Sequence, residues 1–169
     1  MGTLRVKNMK KKLSGFTLPE LIVVVGILMI LLSISSINLL TIYGKTSLGT
    51  KISTLISDIK HQQLKSMVGD TEGEISAESY GIYFEQNRYT LFKGSSYSAS
   101  DPLNFIINLE SDLQFSNIAF PQSQLVFSQG SGEISAYTSD TDTVTLTNIR
   151  TSDSKTLELN RYGVVITIN

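Results

Sequence analysis

Between Leu21 and Tyr43 the chain runs for 23 residues without one formal charge. A run of that length and polarity has few homes. About 20 apolar residues in a helix span the hydrocarbon of a bilayer. A helix also satisfies its own backbone polar groups where no water can. The run therefore reads as a membrane or assembly-core helix. Its flanks are unequal: Arg5, Lys7, Lys10, Lys11 and Lys12 precede it with no acid among them. Short flanks rich in Lys and Arg stay cytoplasmic, so residues beyond Tyr43 are expected to face outward. A single carboxylate, Glu20, stands at the mouth of the run. A carboxylate carried into such a segment costs about 2.5–3.5 kcal/mol on insertion scales and marks a functional position by default.

The residues that join the basic stub to the apolar run are Gly15-Phe16-Thr17-Leu18-Pro19-Glu20. A short basic leader ending in Gly, then Phe-Thr-Leu-x-Glu and an apolar helix, resembles the type IV pilin and type II secretion pseudopilin superfamily. The resemblance implies cleavage after Gly15 by a membrane prepilin peptidase, which also methylates the new amine at Phe16. It implies that Glu20 pairs in the membrane with the amine of a neighbouring subunit and so guides assembly. Lys10, Lys11 and Lys12 match the leader charges. Pro19 departs from the Ile or Val common at its position. Proline cannot donate to the carbonyl four residues back, and its ring clashes there. It also pushes the residue before it towards extended conformations. The uncut helix is thus expected to start near Pro19, leaving Gly15-Phe16 extended and open to a peptidase.

A different reading treats the basic stub, the apolar block Leu21–Leu32 and the small residues Ser33-Ile34-Ser35 as an ordinary secretory signal. Glu20 and the continuation of the uncharged run past Ile37 speak against it. Loss of residues 1–15 removes the five leader cations and takes the net charge from −1 to −6. The 169 residues suffice for one anchor and one modest domain. There is no cysteine, so a head of about 100 residues has to rely on its core.

From Thr46 to Val68, apolar residues at Ile52, Leu55, Ile56, Ile59, Met67 and Val68, with Gln63 among them, recur at helical spacing. One helix from about Phe16 to about Val68 is expected, with Gly26, Gly44 and Gly49 as flex points. Gly69-Asp70-Thr71-Glu72-Gly73 closes it. Short β-rich runs follow. Tyr80–Phe84 and Arg88–Phe92 read as a hairpin, then Leu103–Leu109, Gln124–Phe127, Ile134–Thr138 and Thr143–Ile149 as strands. Lys155–Leu159 and Tyr162–Ile168 read as a terminal hairpin. The fold class is therefore α+β, a long N-terminal helix packed on a small antiparallel β-sandwich-like head. The organisation is a cleaved leader at 1–15, an assembly helix half at 16–44, an amphipathic half at 45–69, and a β-rich head at 70–169. The order resembles the GspH/FimT-like minor pseudopilin branch.

The remaining candidates are weaker. His61, the one histidine, has no partner at ligand spacing. Asp140-Thr141-Asp142 with Asp153 offers oxygen ligands for calcium, but lacks the glycine and distal glutamate of a helix-loop-helix site. No nucleophile elbow or phosphate-cradling loop appears, so neither an enzyme nor a cofactor is expected. Some FimT-like relatives capture DNA, which leaves a DNA-uptake pilin as an alternative, with Arg150, Lys155 and Arg161 as its patch. Phosphate neutralisation needs clustered cations, whereas the stretch from Ile75 onward holds five bases against ten acids.

Overall fold

In the computed structural model, residues 15–73, 75–139 and 142–168 are described, with backbone alone for 34–46. The chain divides into two compact units, Met1–Leu40 and Thr41–Asn169. Helix α1 covers Leu18–Val68, and Gly26, Gly44 and Gly49 do not interrupt it. In the first unit every described side chain from Gly15 to Ser33 is exposed. Among the described residues of the unit nothing covers this stretch of the helix. Among the described residues no helix is long and apolar enough to cross a membrane. The 23-residue uncharged run of the sequence continues through 34–46, whose side chains lie outside the described residues.

In the second unit the helix is two-faced. Leu48, Ile52, Leu55 and Ile59 are buried at alternating spacings of four and three, and Gln62 and Ser66 continue the series. Met67 and Val68, expected on that face, are instead exposed. The helical period carries the buried stripe onto Gln62 and Ser66.

Among the described residues the head holds eight strands in two four-stranded antiparallel sheets. β1 (Tyr80–Glu85), β2 (Arg88–Lys93), β3 (Phe105–Asn108) and β5 (Gln124–Phe127) form one, in the order β3-β2-β1-β5. β4 (Leu113–Ile118), β6 (Thr143–Asn148), β7 (Ser154–Leu159) and β8 (Val165–Ile168) form the other, in the order β4-β6-β7-β8. This is the expected α+β class. The core joins the helix stripe to Ile82, Phe84, Leu125 and Phe127 of the first sheet and Phe115, Leu146, Leu157 and Leu159 of the second. Phe84 links the sheets, edge-on to Phe115 with ring centroids 5.4 Å apart and stacked on Phe120 at the same distance.

Three strand expectations need correction. Ile134–Thr138 is not a strand; Ile134 makes a single bridge to Phe127, and Ser135 and Ala136 are exposed. Tyr162–Val164 is turn rather than strand, because the Asn160 side chain accepts the Tyr162 and Val164 amides, each at 3.0 Å. β4 has no counterpart in the sequence reading. A bulge between Phe115 and Asn117 interrupts its alternation, so its period-two signal fades after two buried residues.

Candidate processing and assembly site

The expected site lies at the start of α1. Gly15, Phe16 and Thr17 precede the helix and are exposed, Phe16 by 79%. The first helical bond runs from the Leu21 amide to the Thr17 carbonyl, at 3.1 Å. The helix begins at Leu18, one residue before the proline expected to mark its start. A Cβ added at Gly15 would meet nothing within 4 Å. The packing of the described residues therefore does not require glycine there. Glu20 is exposed, and its Oε2 accepts the Thr17 backbone N–H at 3.4 Å. Lys10, Lys11 and Lys12 lie outside the described residues.

The apolar side chains that follow, Leu18 to Leu32, are between 42% and 73% exposed. A bare helical surface of this kind is unfavourable in water and calls for lipid or protein around it.

Sequence reasoning missed the polar groups by which the helix end holds the head. The Gln62 Nε2 donates to the Gly81 carbonyl at 2.9 Å, and Ser66 Oγ donates to the Phe127 carbonyl at 3.1 Å. The Tyr80 amide donates to the same Ser66 oxygen at 2.8 Å. Gln63 Nε2 reaches the carbonyls of Gly132 at 2.8 Å and Tyr162 at 2.6 Å. Their only signal was position: Gln62 and Ser66 extend the apolar spacing with polar side chains. Inside a core such groups persist because each is hydrogen-bonded.

The cations of the DNA alternative do not gather. Arg150 sits in the turn between β6 and β7 and Lys155 near the start of β7, while Arg161 lies beyond the far end of β7. Arg161 is also paired with Glu133 at 2.9 Å. His61 is exposed and lines a groove of about 660 Å³ beside Asp58 and Lys65. No group of three or more His, Cys, Asp or Glu able to hold a metal occurs among the described residues. Asp140 and Thr141 of the calcium candidate lie outside the described residues. Asp142 and Asp153 stand at opposite ends of the β6–β7 hairpin.

Asp142 has a structural consequence of its own. It is buried, its Oδ2 accepts the Thr138 amide at 2.9 Å, and its Oδ1 has no partner among the described residues. Burial raises its carboxyl above the usual carboxylate range, and the Thr138 hydrogen bond offsets part of that. The folded head therefore holds this proton more tightly than the unfolded chain does. The Asp142 contribution to stability is fully present below the unfolded value and fades as pH rises through the folded one. Glu85, held low by its hydrogen bond to Arg88, works in the opposite sense at the surface. Urea unfolding across mildly acid to neutral pH is expected to show Asp142→Asn gaining on the wild type as pH rises. Parallel profiles for the two chains would refute this.

No curated protein and no solved structure matches the chain. Residues 10–36 match the family model described as the prokaryotic N-terminal methylation motif. That span takes in the last leader lysines, the Gly15–Phe16 junction, Glu20 and the start of the apolar helix. It implies other pilin subunits and a prepilin peptidase as partners, and a membrane-anchored pilus or pseudopilus as the setting. The motif is that of type IV pilin- and pseudopilin-like prepilins, and the long helix with its two-sheet head is consistent with their fold.

Proposed function

We propose that the protein is a minor pilin or pseudopilin of the GspH/FimT-like branch, inserted once through the bacterial cytoplasmic membrane with its head outside. A prepilin peptidase cuts after Gly15 and methylates Phe16. The subunit then leaves the membrane for a type IV pilus or type II secretion pseudopilus. Glu20 pairs in the low-dielectric helix bundle with the amine of a neighbouring subunit. The observation that carries this reading is the junction itself: an exposed non-helical Gly15-Phe16 just ahead of a helix whose apolar side chains from Leu18 to Leu32 are exposed. Gly15 adds support, since nothing among the described residues demands a glycine there. The requirement is then set by the peptidase that reads the bond. The head presents its surface to neighbours and does no chemistry.

N-terminal sequencing of the mature protein, purified from cells holding the peptidase, tests the reading. A methylated Phe16 is expected as the first residue. A start at Ser36 would instead identify an ordinary secretory signal and reject the proposal.

A further inference from the structure

Thr17-Leu18-Pro19-Glu20 has the order of a capping box, a Ser or Thr just before the helix and a Glu or Gln three residues on. The first N–H groups of a helix have no intrahelical partners, and a side-chain acceptor at the third position can reach back to one of them. Here Glu20 Oε2 accepts the Thr17 N–H while the Thr17 carbonyl takes the Leu21 amide. Both backbone groups of Thr17 are thus engaged in opening the helix. Pro19 has no N–H to offer the Gly15 carbonyl, so the helix cannot continue backwards through that bond. A carboxylate is also favoured at this end of a helix by the partial positive charge there.

We infer that Glu20 acts in the uncut chain before any subunit pairing, as the reaching arm of a capping box that fixes the first helical residue at Leu18. The inference builds on the proposed cut after Gly15, which gives this helix start its use. The cap sets where extended chain ends and helix begins, and so leaves Gly15-Phe16 as the extended stretch ahead of it. Hydrolysis of that bond, with water supplying the hydroxyl to Gly15 and a proton to the amine, leaves the new amine one residue before Thr17. Glu20 is then already held at the start of the helix, where its charge can meet the amine of a neighbouring subunit. The carboxylate has two successive tasks: its hydrogen-bonding capacity serves the first and its charge the second.

A glutamine can perform the first task and not the second, which makes the inference testable. The full uncut chain, made in cells without the peptidase and held in detergent micelles, is examined by amide exchange and 13C chemical shifts. In Glu20→Ala the Thr17 amide is expected to exchange at least about fivefold faster, with the helical 13Cα shift of Leu18 reduced. Glu20→Gln is expected to retain both signals. Head resonances report that each variant is otherwise folded. An unchanged Thr17 amide in Glu20→Ala overturns the inference. Equal loss in Glu20→Gln also overturns it, because the effect would then belong to charge. These measurements use uncut single chains, so their failure is distinct from failure of the cleavage or fibre reading.

Discussion

Glu20→Gln is expected to yield a chain that inserts and is cut after Gly15 yet is nearly absent from fibres. The physical reason is the loss of one member of an ion pair in a water-poor helix bundle. The amine that remains is then a buried charge without a counter-ion, and breaking such a pair typically costs about 3–5 kcal/mol. At about 1.4 kcal/mol for each tenfold change, incorporation should fall by a hundredfold or more. Immunoblotting of sheared fibres against the membrane fraction measures it, with N-terminal sequencing of the membrane pool to verify the cut. Undiminished incorporation of the Gln chain would remove the basis of the proposed assembly role. A chain left uncut would point instead to a need for the charge at the peptidase.

The second large effect is expected in the head. Gly163 has φ +67°, and a Cβ there would lie 2.7 Å from Gln63 Nε2 and 2.8 Å from Phe127 Cε1. Gly163→Ala therefore combines left-handed backbone strain, about 1–2 kcal/mol, with overpacking, typically about 1–3 kcal/mol. Displacing the Gln63 amide also disturbs its bonds to the Gly132 and Tyr162 carbonyls. A total loss of about 2–5 kcal/mol in urea unfolding follows from those two contributions. Gly130→Ala is the matched control. Its φ is +80°, but a Cβ there meets nothing within 4 Å. Only the backbone part should remain, and equal losses in the two variants would show that the close approach of Gln63 and Phe127 has no energetic weight.

The parts of this fold that were legible are those written in local pattern. The apolar run, the basic stub and the Gly-Phe junction announce themselves by composition and spacing. β1 and β2, short runs rich in aromatic and β-forming residues, flank a short turn, and the structure pairs them residue for residue from Tyr80↔Lys93 to Glu85↔Arg88. Recognition was harder where a side chain's meaning depends on a distant neighbour. Met67 looks like core by type, yet it is half-exposed while Gln62 is buried. The carbonyls of Gly81 and Phe92, held in place by the sheet, are what Gln62 needs in order to be buried. The Thr17–Glu20 cap could have been found from its order alone.

The one-dimensional order of residues determined the helix, its uncovered apolar half and the junction at its head, because charge, hydropathy and helix-stop chemistry act over a few neighbouring residues. Which strands share a sheet, which polar side chains go inside, and which basic residues stay apart were decided by tertiary structure. Those outcomes depend on partners tens of residues away: Ser66 meets Phe127 across 61 residues, and Gln63 meets Tyr162 across 99. No local signal encodes a hydrogen bond whose acceptor is positioned only when the two sheets close on the helix.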